Sequence, residues 1–213
     1  MWKTIIDLLF PITCLGCNKQ GQFICPVCFK KLPLNKNPLS KSDKVSGLTG
    51  LITTSYYNHP LIRHTVHRYK YDFVKGLAEP LGKLMTIQGR ALIDKQSPIL
   101  IPVPLHKKRL RWRGFNQAEE LALIISKELN IPIMNDLIIR TKNTLPQVKI
   151  KTSSERQENI KNAFSLNSKQ NFQNKTLILI DDISTTGATL EQCAQTLKQL
   201  NPKQIWGLII AKG

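Results

Sequence analysis

The segment from residue 177 to residue 190 constrains the fold of this chain more than any other. A fully apolar run, residues 177–180, is followed by two aspartates, a run of small and hydroxyl residues, and then an amphipathic pattern. Such a short, β-branched apolar run is typical of a buried parallel strand. The segment therefore predicts a strand, a turn in which Gly187 allows close backbone approach, and a helix.

The hydroxyl-rich turn has the composition of an anion site. Backbone N–H groups and hydroxyls at the start of a helix can bind a phosphate group, because the helix dipole also favours negative charge there. The candidates for this contact are Ser184, Thr185, Thr186, Gly187, Ala188 and Thr189.

Asp181 and Asp182 precede this turn and require a different role. Two like charges about 4 Å apart near a protein surface repel by about 4 kcal/mol, whereas a helix dipole returns only about 0.3–1 kcal/mol. We therefore expect the carboxylates to bind neutral sugar hydroxyls or a divalent cation a few ångströms from the phosphate. A phosphate at one end and a diol at the other describe a ribose 5-phosphate.

Residues 102–117 form a second segment of interest, because cations are concentrated there after another apolar strand pattern. The segment contains His106, Lys107, Lys108, Arg109, Arg111 and Arg113, with Trp112 and Phe115 interleaved. This charge density is unfavourable unless it is solvated or paired with anions. Arg109 and Arg113 suit bidentate contact with phosphate, while the aromatic residues suit stacking on single-stranded nucleic acid. The alternative is an exposed basic loop under which Trp112 packs.

The cysteines of the N-terminal part have the spacing of a metal site. Cys14 and Cys17 form one C-x2-C pair, and Cys25 and Cys28 form the second. Four thiolates close a tetrahedral site without an open position, which favours structural zinc. A rubredoxin-type iron centre has the same ligands and remains the main alternative. The module is too small to bury a core, so we expect metal removal to unfold about residues 10–35 and to spare the rest.

The composition limits the partners and the compartment. The chain has 213 residues and a formal net charge of +17, which favours nucleic acid or phosphorylated metabolites as partners. Solvated lysines of a lysine-rich proteome explain scattered charge equally well, but not the clustered arginines. Residues 1–11 are expected to form a short amphipathic helix, and no segment approaches the roughly 20 apolar residues of a membrane span. We expect a cytoplasmic protein.

The patterns along the rest of the chain predict alternating strands and helices. Strands are expected at 49–57, 98–103, 136–140, 177–180 and 205–210, and helices from 60, at 74–93, 115–129, 155–161 and 188–200. Residues 34–43 have the composition of a linker, and residues 141–155 that of a mobile loop. The prediction is an α/β fold with a mostly parallel sheet flanked by helices. Its domains are a cysteine module with linker, residues 1–45, and the α/β domain, residues 46–213.

Together these motifs resemble a known family. The stretch 177–190 resembles the ribose-phosphate loop of type I phosphoribosyltransferases, and with residues 103–117 and the cysteines the chain resembles the ComF family of competence proteins. The resemblance implies a pyrophosphate loop at 104–108, a flexible loop in 141–164 followed by an Arg-x2-Asn helix, and a role in natural transformation. By the same resemblance, further contacts to pyrophosphate or nucleic acid are expected from Lys70, Asn116, Gln117 and Arg156.

Two functions remain open from the sequence. The first is a phosphoribosyltransferase that binds 5-phosphoribosyl 1-pyrophosphate with Mg²⁺, in which Asp181 and Asp182 are the catalytic carboxylates. The second is a non-catalytic factor that binds single-stranded DNA and uses the ribosyl-phosphate site as a ligand sensor. DNA-uptake proteins are expected partners in either case, and the acceptor of the ribosyl group is not recognisable.

Overall fold

The computed structural model describes residues 11–41, 45–96, 98–144, 152–168 and 170–213. Its strands are β1 (Leu39–Lys41), β2 (Gly50–Tyr56), β3 (Ile99–Pro102), β4 (Ile138–Arg140), β5 (Phe164–Leu166), β6 (Thr176–Ser184) and β7 (Gln204–Lys212). Its helices are α1 (Pro26–Lys30), α2 (Pro60–Tyr71), α3 (Ala78–Gln96), α4 (Lys107–Arg113), α5 (Gln117–Leu129), α6 (Ser153–Ile160) and α7 (Ala188–Lys198), with a 3₁₀ turn, Lys75–Leu77, before α3. The expected helix at residues 1–11 lies almost entirely outside the described residues.

The main sheet has five strands in the order β1-β2-β7-β6-β3. β2, β7, β6 and β3 are parallel, and β1 is an antiparallel edge strand. β4 and β5 form a separate two-stranded antiparallel sheet, which packs against α7. The predicted α/β fold with a mostly parallel sheet is confirmed.

The apolar strands bury both faces of the sheet, because successive side chains point to opposite sides. Along β6, Ile178 and Ile180 belong to the core on the side of α2, α3 and α5, whereas Leu177 and Leu179 belong to the core on the side of α7. The same alternation places Asp181 and Asp182, at the end of β6, on opposite faces of the sheet, where they contact different neighbours.

The cysteine module packs onto the first of these cores. Cys14, Cys25 and Cys28 are buried in the same cluster as Ile62 and other residues of α2 and α3. The division at residue 45 stays a prediction, but the buried cluster is continuous across it.

Two parts of the sequence were predicted as irregular and are ordered elements. The linker-like stretch contains β1, whose register pairs Leu39 with Ile52. The basic segment is a helix, α4, which His106 caps by accepting a hydrogen bond from the N–H of Lys108 at 3.3 Å. Periodicity did not reveal α4 because no residue of this helix is buried.

Within the part of the chain that the structure describes, no helix combines the length and apolarity needed to cross a bilayer.

Candidate functional site

The hydroxyl-rich turn lies between the end of β6 and the start of α7, as predicted. Gly187 caps α7 with a φ of +83°, and a Cβ at this position would lie 2.6 Å from Cγ2 of Val45. Only glycine therefore fits the turn without displacing its neighbour. Ser184 and Ala188 are buried, and Thr189 is partly exposed.

The hydroxyl of Thr185 is the strongest sign of a ligand in this turn. Its Oγ1 is buried and has no hydrogen-bond partner among the described residues. The neighbouring Thr186 Oγ1 accepts a hydrogen bond from the N–H of Ala188 at 3.4 Å. A buried hydroxyl without a partner is costly, so an anion bound in this turn would satisfy it.

The two aspartates are separated by the sheet, although they are adjacent in sequence. Asp182 lies on the α2 side, where its Oδ1 accepts a hydrogen bond from Lys70 Nζ at 2.9 Å. Each carboxylate also accepts the N–H of the next residue: Asp182 N donates to Asp181 Oδ1 at 2.8 Å, and Ile183 N donates to Asp182 Oδ1 at 2.6 Å. Both side chains are thereby held in fixed orientations.

The charges around the aspartates shift two pKa values. Burial first, and then the charge of Asp182, raises the pKa of Asp181 to about 7, against the opposing effects of Lys70 and Arg140. Burial disfavours the charged form of Lys70, but the negative charges of Asp182 and Asp181 outweigh this effect and raise the pKa of the lysine. Lys70 therefore stays charged. Its predicted contact with pyrophosphate or nucleic acid stays a prediction, and the structure places its ammonium group on Asp182.

The cations of α4 divide into two groups. Lys107, Lys108 and Arg111 are exposed, and Trp112 is 70% exposed with its ring edge-on to Phe73 at 4.7 Å between centroids. The alternative in which Trp112 packs under a basic loop is thus wrong.

Arg109 and Arg113 are half-buried and face inward. Arg109 Nη2 donates to the carbonyl of Thr144, while Arg113 Nη1 donates to Oε1 of Gln117 and its guanidinium lies 5.5 Å from the Phe73 ring centroid. Burial lowers the pKa of both arginines.

Asn116 and Gln117 lie at the start of α5, as predicted, but they differ in whether their side-chain polar groups already have hydrogen-bond partners. Asn116 caps the helix by accepting from Ala118 N at 3.2 Å, and its Nδ2 donates to the Val103 carbonyl at 3.1 Å. Both polar groups of Asn116 therefore join the exit of β3 to the start of α5. The side-chain Nε2 of Gln117 is buried and has no partner among the described residues. The backbone carbonyl of Gln117 accepts a hydrogen bond from Tyr69 Oη at 2.8 Å.

Arg156 and Arg140 are two further arginines near this region in the chain. Arg156 falls in α6, but its side chain lies outside the described part of the structure. Arg140, at the end of β4, was missed by the sequence analysis, although its position at the end of a predicted strand was a signal. It is only partly exposed and donates from Nη2 to Thr144 Oγ1.

The four cysteines converge as a metal site requires. The Sγ atoms of Cys14, Cys17, Cys25 and Cys28 lie within 4.8 Å of one another. A Cβ on Gly16 would lie 2.8 Å from Cys28 Sγ, so the C-x2-C turn needs glycine there. Hydrogen bonds from the N–H groups of Cys25, Gly16 and Cys17 outweigh burial and lower the pKa of Cys14 to about 6, which favours the thiolate. The donor set fits a tetrahedral ion such as Zn²⁺. The separate Cys193 is fully buried on α7, as expected of a small apolar side chain.

Comparison with known proteins agrees with this architecture. The family model of the phosphoribosyl transferase domain matches residues 116–211. Competence protein F of Haemophilus influenzae is 31% identical over 205 residues, which cover 92% of this chain and 89% of the relative. The DNA utilization protein YhgH of Shigella flexneri is 28% identical over 202 residues, covering 92% of this chain and 87% of the relative.

A solved structure was also compared with the chain. The purine phosphoribosyltransferase of Pyrococcus horikoshii Ot3 is 16% identical, with a TM-score of 0.38, over 64% of this chain and 73% of that chain. The extent of the match to Competence protein F, together with the phosphoribosyltransferase domain and the four-cysteine cluster, shows that this chain belongs to the ComF family of competence proteins.

Proposed function

We propose that the protein binds 5-phosphoribosyl 1-pyrophosphate with Mg²⁺ at the end of β6 and acts in natural transformation. The observation that carries the binding proposal is the buried Thr185 hydroxyl without a partner, in a turn that presents helix N–H groups beside two oriented carboxylates. The relatives named for competence and DNA utilization support the biological role.

Each part of the site has a distinct task in this proposal. The turn of residues 184–189 binds the 5-phosphate, while Asp181 and Asp182 accept hydrogen bonds from the ribose hydroxyls. Lys70 orients Asp182 through the 2.9 Å ion pair and balances its charge. Bound Mg²⁺ supplies charge neutralisation for the pyrophosphate. Transfer of the ribosyl group then depends on an acceptor, which the described residues do not identify.

A calorimetric titration of the full chain with the donor, with and without Mg²⁺, tests the binding proposal. Thr185→Val removes the hydroxyl but keeps the shape of the side chain, and we expect it to weaken binding by about tenfold, the loss of one strong hydrogen bond. Thr86→Val is the matched control, because the buried Thr86 hydroxyl donates within α3 to the Gly82 carbonyl at 2.9 Å. Equal affinities for all three proteins would refute the assigned phosphate site.

Turnover is tested separately from binding. Pyrophosphate release is measured with nucleobases and with single-stranded DNA as acceptors, and Asp182→Asn is expected to reduce either donor binding or release. Donor binding without release in any mixture would leave the second function, in which the site senses the ligand without catalysis.

The exposed face of α4 favours a second activity, binding of single-stranded DNA. Trp112 presents its ring to solvent between exposed cations, and base stacking on such a side chain is worth about 1–3 kcal/mol. We expect Trp112→Ala to weaken oligonucleotide binding by about tenfold or more, and binding to fall steeply with salt. Arg90→Ala, an exposed substitution on α3, is the control. Salt-insensitive or absent binding would exclude this activity.

We further propose that the cysteine cluster holds structural zinc and that the protein acts in the cytoplasm with proteins of the DNA-uptake machinery. Elemental analysis of the native protein distinguishes zinc from iron, the alternative with the same ligands. A Cys17→Ser variant should lose the metal, whereas Cys193→Ser, outside the cluster, should retain it.

A further inference from the structure

The end of β4 brings a second set of cations toward the site. β4 pairs antiparallel with β5, so that Arg140 lies opposite Phe164, and its guanidinium is 5.4 Å from the centroid of that ring. The two-stranded β4–β5 sheet packs against α7, the helix that begins at the proposed phosphate turn. Arg140 therefore lies near the same end of the sheet as Asp181, on the α7 side.

Thr144 holds Arg140 beside Arg109 of α4. The Thr144 hydroxyl accepts from Arg140 Nη2, and its carbonyl accepts from Arg109 Nη2. Both acceptors are neutral, so they orient the two guanidinium groups without balancing their charge. Burial first, and then the charge of Arg140, lowers the pKa of His106, the cap of α4.

The charge of this cluster is unbalanced. Within the described ranges, no ion pair joins Arg109 or Arg140 to a carboxylate. Nε of Arg140 is buried and lacks a hydrogen-bond partner there. Burial, and then the neighbouring Arg109, lowers the pKa of Arg140 to about 10, which records the cost of placing two guanidinium groups together. Asp181 is the carboxylate that interacts with Arg140. Because its pKa is raised to about 7, it balances the positive charge of the arginine only in part.

An oxyanion would remove these costs. A phosphate group presents two oxygens to a guanidinium in a bidentate arrangement, and would accept from the free Nε of Arg140 while neutralising Arg109. The cluster is formed by the segment after β3 and the end of β4, beside the end of β6, and ligands of parallel sheets bind beyond the carboxyl ends of the strands.

We infer that Arg140 of β4 acts with Arg109 in binding the pyrophosphate group of the proposed donor, on the α7 side of β6 and outside the ribose-phosphate turn. The inference rests on the proposed function for the choice of pyrophosphate as the anion. It adds a residue from β4 to a site otherwise built from β3, β6 and their following segments.

Calorimetric titration of the full chain with inorganic pyrophosphate tests this inference. We expect Arg140→Gln to weaken pyrophosphate binding at least about tenfold, and Arg140→Lys to restore only part of it, since an ammonium lacks the bidentate fork. Arg90→Gln is the control, because it removes the same charge from an exposed position on α3. It should change the affinity by less than about twofold, as solvent and salt screen exposed charges. Equal affinities for Arg140→Gln and the unmodified chain, or equal losses for Arg140→Gln and Arg90→Gln, would overturn the inference.

A measurement on the unmodified chain covers the case in which Arg140→Gln does not fold. Pyrophosphate should slow the reaction of Arg140 with an arginine-selective dicarbonyl reagent, as quantified by peptide mass spectrometry, and should leave Arg90 unaffected. An unchanged rate at Arg140 in saturating pyrophosphate would overturn the site. Ribose 5-phosphate is titrated in parallel: if it fails to bind while pyrophosphate binds through Arg140, the phosphate turn fails and the arginine site stands.

Discussion

Replacing Gly187 with alanine tests the turn on which the proposed phosphate site depends. Gly187 has a φ of +83°, and a Cβ built there lies 2.6 Å from Cγ2 of Val45. The left-handed conformation costs a residue with a side chain about 1–2 kcal/mol, and forcing an extra carbon against Val45 adds about 1–3 kcal/mol. We therefore expect Gly187→Ala to lower the free energy of unfolding by about 2–5 kcal/mol.

Gly114 provides a matched control for this substitution. It has the same φ, +83°, but its Cβ position meets no heavy atom within 4 Å beyond its chain neighbours. Gly114→Ala should therefore cost only the conformational part, about 1–2 kcal/mol. Urea unfolding of both variants, followed by circular dichroism, isolates the contact with Val45 as the difference between them.

A double-mutant cycle completes the test. Val45→Ala removes Cγ2, the carbon in conflict, and should recover part of the stability lost in Gly187→Ala. Ribose 5-phosphate affinity should follow the same order, because only Gly187→Ala displaces the turn itself. Equal destabilisation by the two glycine substitutions, or the absence of any recovery with Val45→Ala, would refute the reasoning.

Three further predictions concern the charges and the metal. The pKa of Asp181 is raised to about 7 from an ordinary 3.8, so between these pH values the folded protein retains a proton that the unfolded chain releases. The free energy of unfolding should therefore fall as the pH rises from 3.8 to about 7, by at most about 4 kcal/mol. Asp181→Asn should abolish that part of the slope in urea titrations at several pH values, and an unchanged slope would contradict it. Lys70→Met should destabilise the protein by about 1–3 kcal/mol by leaving Asp182, whose side chain is 7% exposed, without its cation, and a second substitution, Asp182→Asn, should recover most of this loss. Chelation of the metal should reduce hydrogen-exchange protection in the cysteine module, in α2 and in the 3₁₀ turn before α3. Leu61 of α2 packs at Gly16 of the module, and Phe23 of the module packs at Gly76 of that turn. Unchanged protection in α2 would support a module that unfolds alone.

The elements that the sequence predicted are those with a strong periodic pattern. β6 and α7 combine an apolar run, a glycine that requires a positive φ and a helical pattern, and all three signals agree. α5 likewise has the buried Leu121 and Ile125 at helical spacing. β6 extends to Ser184, beyond the predicted end at residue 180, because the parallel pairing with β7 continues through the aspartates. Pairing between distant strands is invisible in a local pattern.

The residues that were missed have their partners far away in the chain. α4 has no buried residue, so its seven residues resemble a basic loop, and only the left-handed Gly114 that follows marks its end. Arg140 depends on Arg109 and Thr144, contacts that form only after β3 and β4 have been placed. The family resemblance singled out Lys70, but its ion pair with Asp182, 112 positions away, is visible only in the folded structure.

The placement of the aspartates resolves the electrostatic difficulty that their adjacency poses. Two neighbouring carboxylates on one face would repel strongly, but the two-residue period of β6 directs Asp182 toward Lys70 and Asp181 toward the side of Arg140. Asp182 thus makes a direct ion pair with Lys70, whereas Asp181 interacts at longer range with Lys70 and then Arg140, and burial and the charge of Asp182 keep its pKa raised. Because the ion pair is already made, Lys70 and Asp182 serve best to orient a neutral hydroxyl group. Because the arginines on the other side lack a full counter-charge, that side has the greater capacity for a phosphate. In the proposed binding mode, the two faces of this strand end divide the recognition of the sugar phosphate between them.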